Sequence, residues 1–141
     1  MVPLSRALAI AAAVGLALAL LSGCGLQVSS PDLFLLKRSG EGRAVSLLVN
    51  DGGTIRCNGG HAKPLSDALL IRARDLASQL DKDASAKLHL PADPNSVFTY
   101  SMSLQEGTIS FPDTAAAAHH ELALAEQFAL QAERGPCGLS R

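Results

Sequence analysis

The stretch from Val97 to Phe111, "VFTYSMSLQEGTISF", alternates apolar and polar side chains almost without interruption. Phe98, Tyr100, Met102 and Leu104 fall on one side, and Thr99, Ser101 and Ser103 on the other. Because successive side chains of a strand point to opposite faces, a period of two sustained this long demands a sheet with one dry face and one wet face. Antiparallel hairpins provide that arrangement, whereas the strands of a parallel sheet are apolar on both sides. The strand turns at Gln105, Glu106 and Gly107 and returns through Thr108 to Phe111.

A second hairpin is written in "AVSLLVNDGGTIRC", Ala44 to Cys57. Val45, Leu47 and Val49 share a face, and Asn50, Asp51, Gly52 and Gly53 form a turn in which glycine supplies the positive φ that tight hairpins need. A strand is also expected at Leu33 to Lys37, "LFLLK", and a short one near Leu88 in "AKLHL". Each hairpin precedes a helix-period segment. From Pro64 to Asp81 a stripe of Leu65, Leu69, Leu70, Ala73, Leu76, Ala77 and Leu80 lies opposite Asp67, Arg74 and Ser78, with Pro64 near the first turn. The second helix is expected from about Thr114 to Glu133, capped by Asp113 or Thr114 and closed by Gly135-Pro136, with Ala117, Leu124, Ala125, Phe128, Ala129 and Ala132 inward. These elements predict a two-layer α+β domain, an antiparallel sheet of four to five strands packed against two helices. The tripeptide "GTI" at Gly53 to Ile55 and Gly107 to Ile109 suggests a ββα repeat.

The N-terminus is a different kind of sequence. Every residue from Ala7 to Leu21 is apolar or Gly, preceded by one basic side chain, Arg6. Fifteen residues of helix span about 22 Å, short of the roughly 30 Å hydrocarbon core, so the run fits a secretory signal better than a membrane span. It ends in Leu21-Ser22-Gly23-Cys24. This resembles the lipobox of bacterial lipoproteins: an aliphatic residue, two small residues and then Cys. The resemblance implies that Cys24 receives diacylglyceryl on its thiol and that the signal peptide, residues 1 to 23, is cleaved just before it. It further implies export, palmitate on the mature N-terminus and anchoring to the outer face of the cell membrane. The small, polar segment from Gly25 to Asp32 then reads as a tether, and residues 33 to 141 as one domain. The composition, rich in Ala and Leu and poor in Lys, would suit a GC-rich bacterium, and with the lipobox the chain resembles a small envelope lipoprotein of the actinobacterial type.

With Cys24 assigned to lipid, Cys57 and Cys137 remain as a pair in an exported domain, where oxidising conditions favour a disulfide. Closing a loop of this length contributes roughly 4 kcal/mol by chain entropy. Two free thiols are the alternative.

Charge and composition exclude some functions. The signal segment removes one of 12 basic residues and none of 13 acidic ones, which leaves a mature net charge of −2. With no Trp and one Tyr there is neither a basic stripe nor a stacking platform for nucleic acid. "HHELAL", His119 to Leu124, has the start of the zinc-protease sequence H-E-x-x-H, but Leu124 stands where the second histidine would bind metal. His119 with Glu126 reads as a solvated surface pair, and metal binding or pH sensing would rest on His119 and His120 alone. "NDGGTIRCNGGH", Asn50 to His61, lacks the Lys and Ser/Thr of a phosphate loop and the spaced acids of a calcium loop. A mixed site of Cys57, His61 and Cys137 would require both thiols free. No G-x-S-x-G elbow or paired acid and base is present.

The expectation is therefore a noncatalytic binding or structural module of the cell envelope, without cofactor or metal, held to the membrane by lipid and recognising an envelope protein or ligand. Candidate recognition loops are the hairpin tips, Asn50 to Gly53 and Gln105 to Gly107, and the segment Lys82 to Ser96 with Pro91 and Pro94. In strand and helix order the mature chain is also loosely similar to subtilisin-inhibitor-like proteins, which implies a secreted protease-inhibitor-like module as the alternative. The disulfide that stiffens the reactive loop of that family has no counterpart here.

Overall fold

A computed structural model describes residues 31–139. The signal segment, Cys24 and most of the tether lie outside the described residues. The chain runs β1 (Asp32–Gly40), β2 (Arg43–Asn50), β3 (Thr54–Cys57), β4 (Ala62–Pro64), α1 (Asp67–Ser85), β5 (Phe98–Ser103), β6 (Thr108–Pro112), a 3-10 turn (Asp113–Ala117) and α2 (His120–Arg134). The strands form one antiparallel sheet in the order β4-β3-β2-β1-β5-β6. This is the expected α+β class with six strands rather than four to five. The additional strand is β4, which takes Pro64 into the sheet edge, where a missing N–H costs nothing.

Register carries the alternation across the whole sheet. Phe34 and Leu36 lie opposite Val49 and Leu47, Leu36 opposite Met102, and Tyr100 and Met102 opposite Phe111 and Ile109. These side chains are almost fully buried and form one cluster with Ala73, Leu76, Leu80 and Ala84 of α1 and Leu122, Ala125, Phe128, Ala129 and Ala132 of α2. Phe34 meets Phe128 edge to face at 5.4 Å, and Tyr100 stacks on Phe111 at 5.2 Å. Each large side chain buried here contributes about 1.5–3 kcal/mol of transfer free energy.

Both helix starts differ from expectation, each for an identifiable reason. Ser66, not Pro64, starts α1: its hydroxyl accepts from the Leu69 amide. Asp113 does not cap the second helix, because its carboxylate already accepts the Val97 and Phe98 amides at 3.1–3.2 Å. The alanine run therefore makes a 3-10 turn, α2 begins at His120, and Ala117 is exposed rather than inward. The segment around Leu88 is no strand but a latch. His89 bridges to Ser110, and backbone bonds Leu90 N to Ser110 O and Ser110 N to Leu88 O cover the β6 edge.

The "GTI" recurrence does not mark a structural repeat. The hairpins β2–β3 and β5–β6 flank β1 on opposite sides, each with its inner strand antiparallel to β1, while both helices pack in one cluster on the same face. Rotating one hairpin onto the other about β1 would carry its helix to the opposite face. The two glycines also have different tasks. Gly53 takes φ +87° in its turn, whereas a Cβ on Gly107 would lie 2.2 Å from the Ala84 carbonyl oxygen at the end of α1.

Cys57 and Cys137 form a disulfide with Cα atoms 5.8 Å apart. It joins the end of β3 to the turn after α2, and the Lys63 ammonium adds a bond to the Cys137 carbonyl at 3.4 Å. No helix among the described residues is long and apolar enough to cross a membrane.

Candidate functional site

Both helices cover one face of the sheet, and no helix among the described residues covers the other. On that face Lys37 of β1 stands between Ser46 of β2 and Ser101 of β5, directly in register with each, and Ser110 of β6 extends the row. The adjacent row holds Ser39 and Thr99, whose hydroxyls bond each other at 2.9 Å. With Asn58 at the end of β3 these residues line an open hollow of about 700 Å³. Among the described residues, the Lys37 ammonium and the Ser46 and Ser101 hydroxyls have no partner. The lining is mixed: the hydroxyls of these strand positions stand among apolar surface from Ala44, Val45 and the neighbouring side chains. Only Leu35, at the opposite half of the sheet, is a buried apolar residue of this face.

A second polar set is internal. Arg38, one residue from Lys37 and therefore on the core side, donates from Nη2 to Glu133 Oε2 at 2.6 Å, and its guanidinium lies 4.7 Å from the Phe98 ring centroid. Burial pushes Tyr100 up to about 12, with the Glu126 charge adding to it. Burial likewise pushes Glu126 up to about 7, reinforced by the Asp113 carboxylate, and Glu126 Oε1 is shielded from water without a hydrogen-bond partner. Glu126 is thus half-buried, not on the solvent side as its helical position suggested. A carboxyl titrating near neutrality can exchange protons, but Glu126 lines neither the sheet hollow nor the smaller groove between α1 and α2 around Leu76, Leu124 and Phe128.

The sequence-derived sites map as follows. His119 precedes α2 and lies 3.5 Å from Glu121, His120 is exposed, and Leu124 packs against the core from the groove. The mixed thiol site does not form, since Cys57 and Cys137 are joined to each other, and His61 is exposed. Among the described residues no group of three or more His, Cys, Asp or Glu could hold a metal ion. The Asn50–Gly53 tip is fixed by Asn50 Oδ1 accepting the Gly52 amide and by the exposed Arg74–Asp51 pair at 2.6 Å.

Both hairpin tips sit at the end of the sheet where β1 begins. The Asp51 amide donates to the Pro31 carbonyl at 2.8 Å, Asn50 Nδ2 to Asp32 Oδ1 at 3.0 Å, and Gln105 Nε2 to the Asp32 carbonyl at 3.3 Å. The segment Lys82 to Ser96 is not one loop: its start belongs to α1, its middle is the edge latch, and the rest folds around Asp93. The Thr114 hydroxyl and the Asn95 amide donate to that carboxylate and hold it below the usual range.

Sequence reasoning missed the Lys37 row and the polar interior. The outward Ser101 and Ser103 were visible in the alternation, but the strand order that brings Ser46, Lys37 and Ser101 together was not. No protein-family model, curated protein or solved structure shows significant similarity to the chain.

Proposed function

We propose that this protein is an exported bacterial lipoprotein, anchored through Cys24 to the outer face of the cell membrane, whose domain is a noncatalytic binding module. The observation that carries the reading is the one-sided packing of the sheet: one set of alternating side chains builds a core, and the other set includes Lys37, Ser46 and Ser101, which have no partner among the described residues. The lipobox-like Leu21-Ser22-Gly23-Cys24 supports the anchor, and the disulfide is of the kind oxidising compartments sustain.

Anchoring gives the domain an orientation. Six residues separate Cys24 from Pro31, seven steps with a reach of at most about 25 Å, so the hairpin tips beside Pro31 and Asp32 face the membrane. The strands then carry the turn at Gly40 to Arg43 and the Lys37 row outward, β1 spanning about 30 Å. This moves the recognition surface away from the Asn50–Gly53 and Gln105–Gly107 tips. The inhibitor-like alternative draws less support, because the segment around Asp93 curls on itself and the disulfide lies elsewhere.

The test is palmitate labelling of cells expressing the full chain or Cys24→Ser. Label in the first and uncleaved, unlabelled precursor in the second are expected. Equal incorporation in both would overturn the anchor.

A further inference from the structure

We propose that the outward half of the open sheet face binds a carboxylate-bearing saccharide, with Lys37 as its anion contact. The proposal deepens the binding-module reading by naming the ligand class, and it rests on that reading. Of the two cations that line the hollow among the described residues, Arg38 is paired with Glu133 and Lys37 has no partner. Among the described residues no carboxylate lines the hollow, so a negative charge placed there meets attraction without a competing acid.

The Ser46 and Ser101 hydroxyls, in register on either side of Lys37, each offer a donor and two acceptors with no partner among the described residues. Strands lie about 4.8 Å apart, so the register sets a serine, a lysine and a second serine at even backbone steps across three strands. Such a row fits a ligand that carries hydroxyls on both sides of one anionic group. The main-chain amides of these strands are consumed by the ladder and no helix begins at the hollow. The doubly charged phosphate of a monoester would therefore find a single cation and no cluster of N–H donors, whereas one ammonium balances the single charge of a carboxylate; a phosphodiester carries that same single charge, and the experiment separates the two.

The experiment titrates the full chain, purified in detergent from membranes, with a galacturonate trimer, a neutral galactose trimer and a glycerol-phosphate oligomer, followed by calorimetry and amide NMR. Saturable binding of the galacturonate trimer, with shifts at Lys37, Ser46 and Ser101, is expected to weaken about tenfold or more in Lys37→Gln, since a hydrogen bond to a charged group is lost. Ser46→Val combined with Ser101→Val should weaken it without changing net charge, and Arg134→Gln, at the exposed end of α2, should leave it unchanged. No saturable binding, equal binding of the neutral trimer, tighter binding of the glycerol-phosphate oligomer, or an undiminished response in a folded Lys37→Gln chain would each overturn the proposal. Palmitate labelling of the same preparation reads the anchor separately, so the two failures are distinguishable.

Discussion

Neutralising Glu126 should change how stability depends on pH, and the direction follows from where its carboxyl sits. It is half-buried on α2, facing Tyr100 of β5 and Asp113 of the 3-10 turn, with Arg38 of β1 engaged by Glu133 beyond. Burial and the Asp113 charge raise it from an ordinary 4.5 to about 7 in the folded chain. The folded state therefore holds a proton that the unfolded state has released between those values. By linkage, the stability contributed by the protonated form is fully present below about pH 4.5 and is lost as pH rises through about 7. At about 1.36 kcal/mol per tenfold change the gap is worth at most roughly 3 kcal/mol, and residual contact with water and salt lowers it to about 2 kcal/mol. Urea unfolding of wild type and Glu126→Gln, followed by circular dichroism from pH 4 to pH 8, measures the effect. The variant should match wild type near pH 4 and exceed it by about 2 kcal/mol at pH 8. Other carboxylates titrate in both proteins, so the difference isolates Glu126. Parallel curves over the whole range would refute the reasoning.

Gly107→Ala should destabilise the domain by about 2 kcal/mol or more, because the added Cβ would collide with main chain at Ala84 rather than with a movable side chain; a melting temperature within a degree of wild type would contradict this. Replacing Cys57 and Cys137 together by Ser should cost about 4 kcal/mol in urea midpoint analysis, with the same loss on reduction of wild type. Arg38→Met should cost about 3 kcal/mol, as it leaves the buried Glu133 without its cation, while Arg38→Met with Glu133→Leu should recover most of that loss. A double variant as unstable as the single one would show that packing, not charge pairing, sets the cost.

The parts of this fold legible in the sequence are those decided by which side chains leave water. Phe98, Tyr100 and Met102 announced a half-buried strand, the Asp51-Gly52 step announced the turn between β2 and β3, and both helices showed their stripes, because each signal is local. The Cys57–Cys137 pair was legible for another reason: assigning Cys24 to lipid left two cysteines. What escaped was settled by contacts distant in sequence. Asp113 has the side chain of a helix cap, yet its carboxylate serves the Val97 and Phe98 amides across the chain reversal, and the start of α2 shifts to His120 in consequence. Glu126 occupies a position that a helical wheel assigns to solvent, but the 3-10 turn and β5 close over it. Lys37 looked like the polar end of a short apolar strand. Only the strand order, with β1 central and both hairpins beside it, turns that lysine into the one cation in a row of hydroxyls. Periodicity reports each strand's wet face; what that face can bind is decided when register sets the faces of three strands side by side.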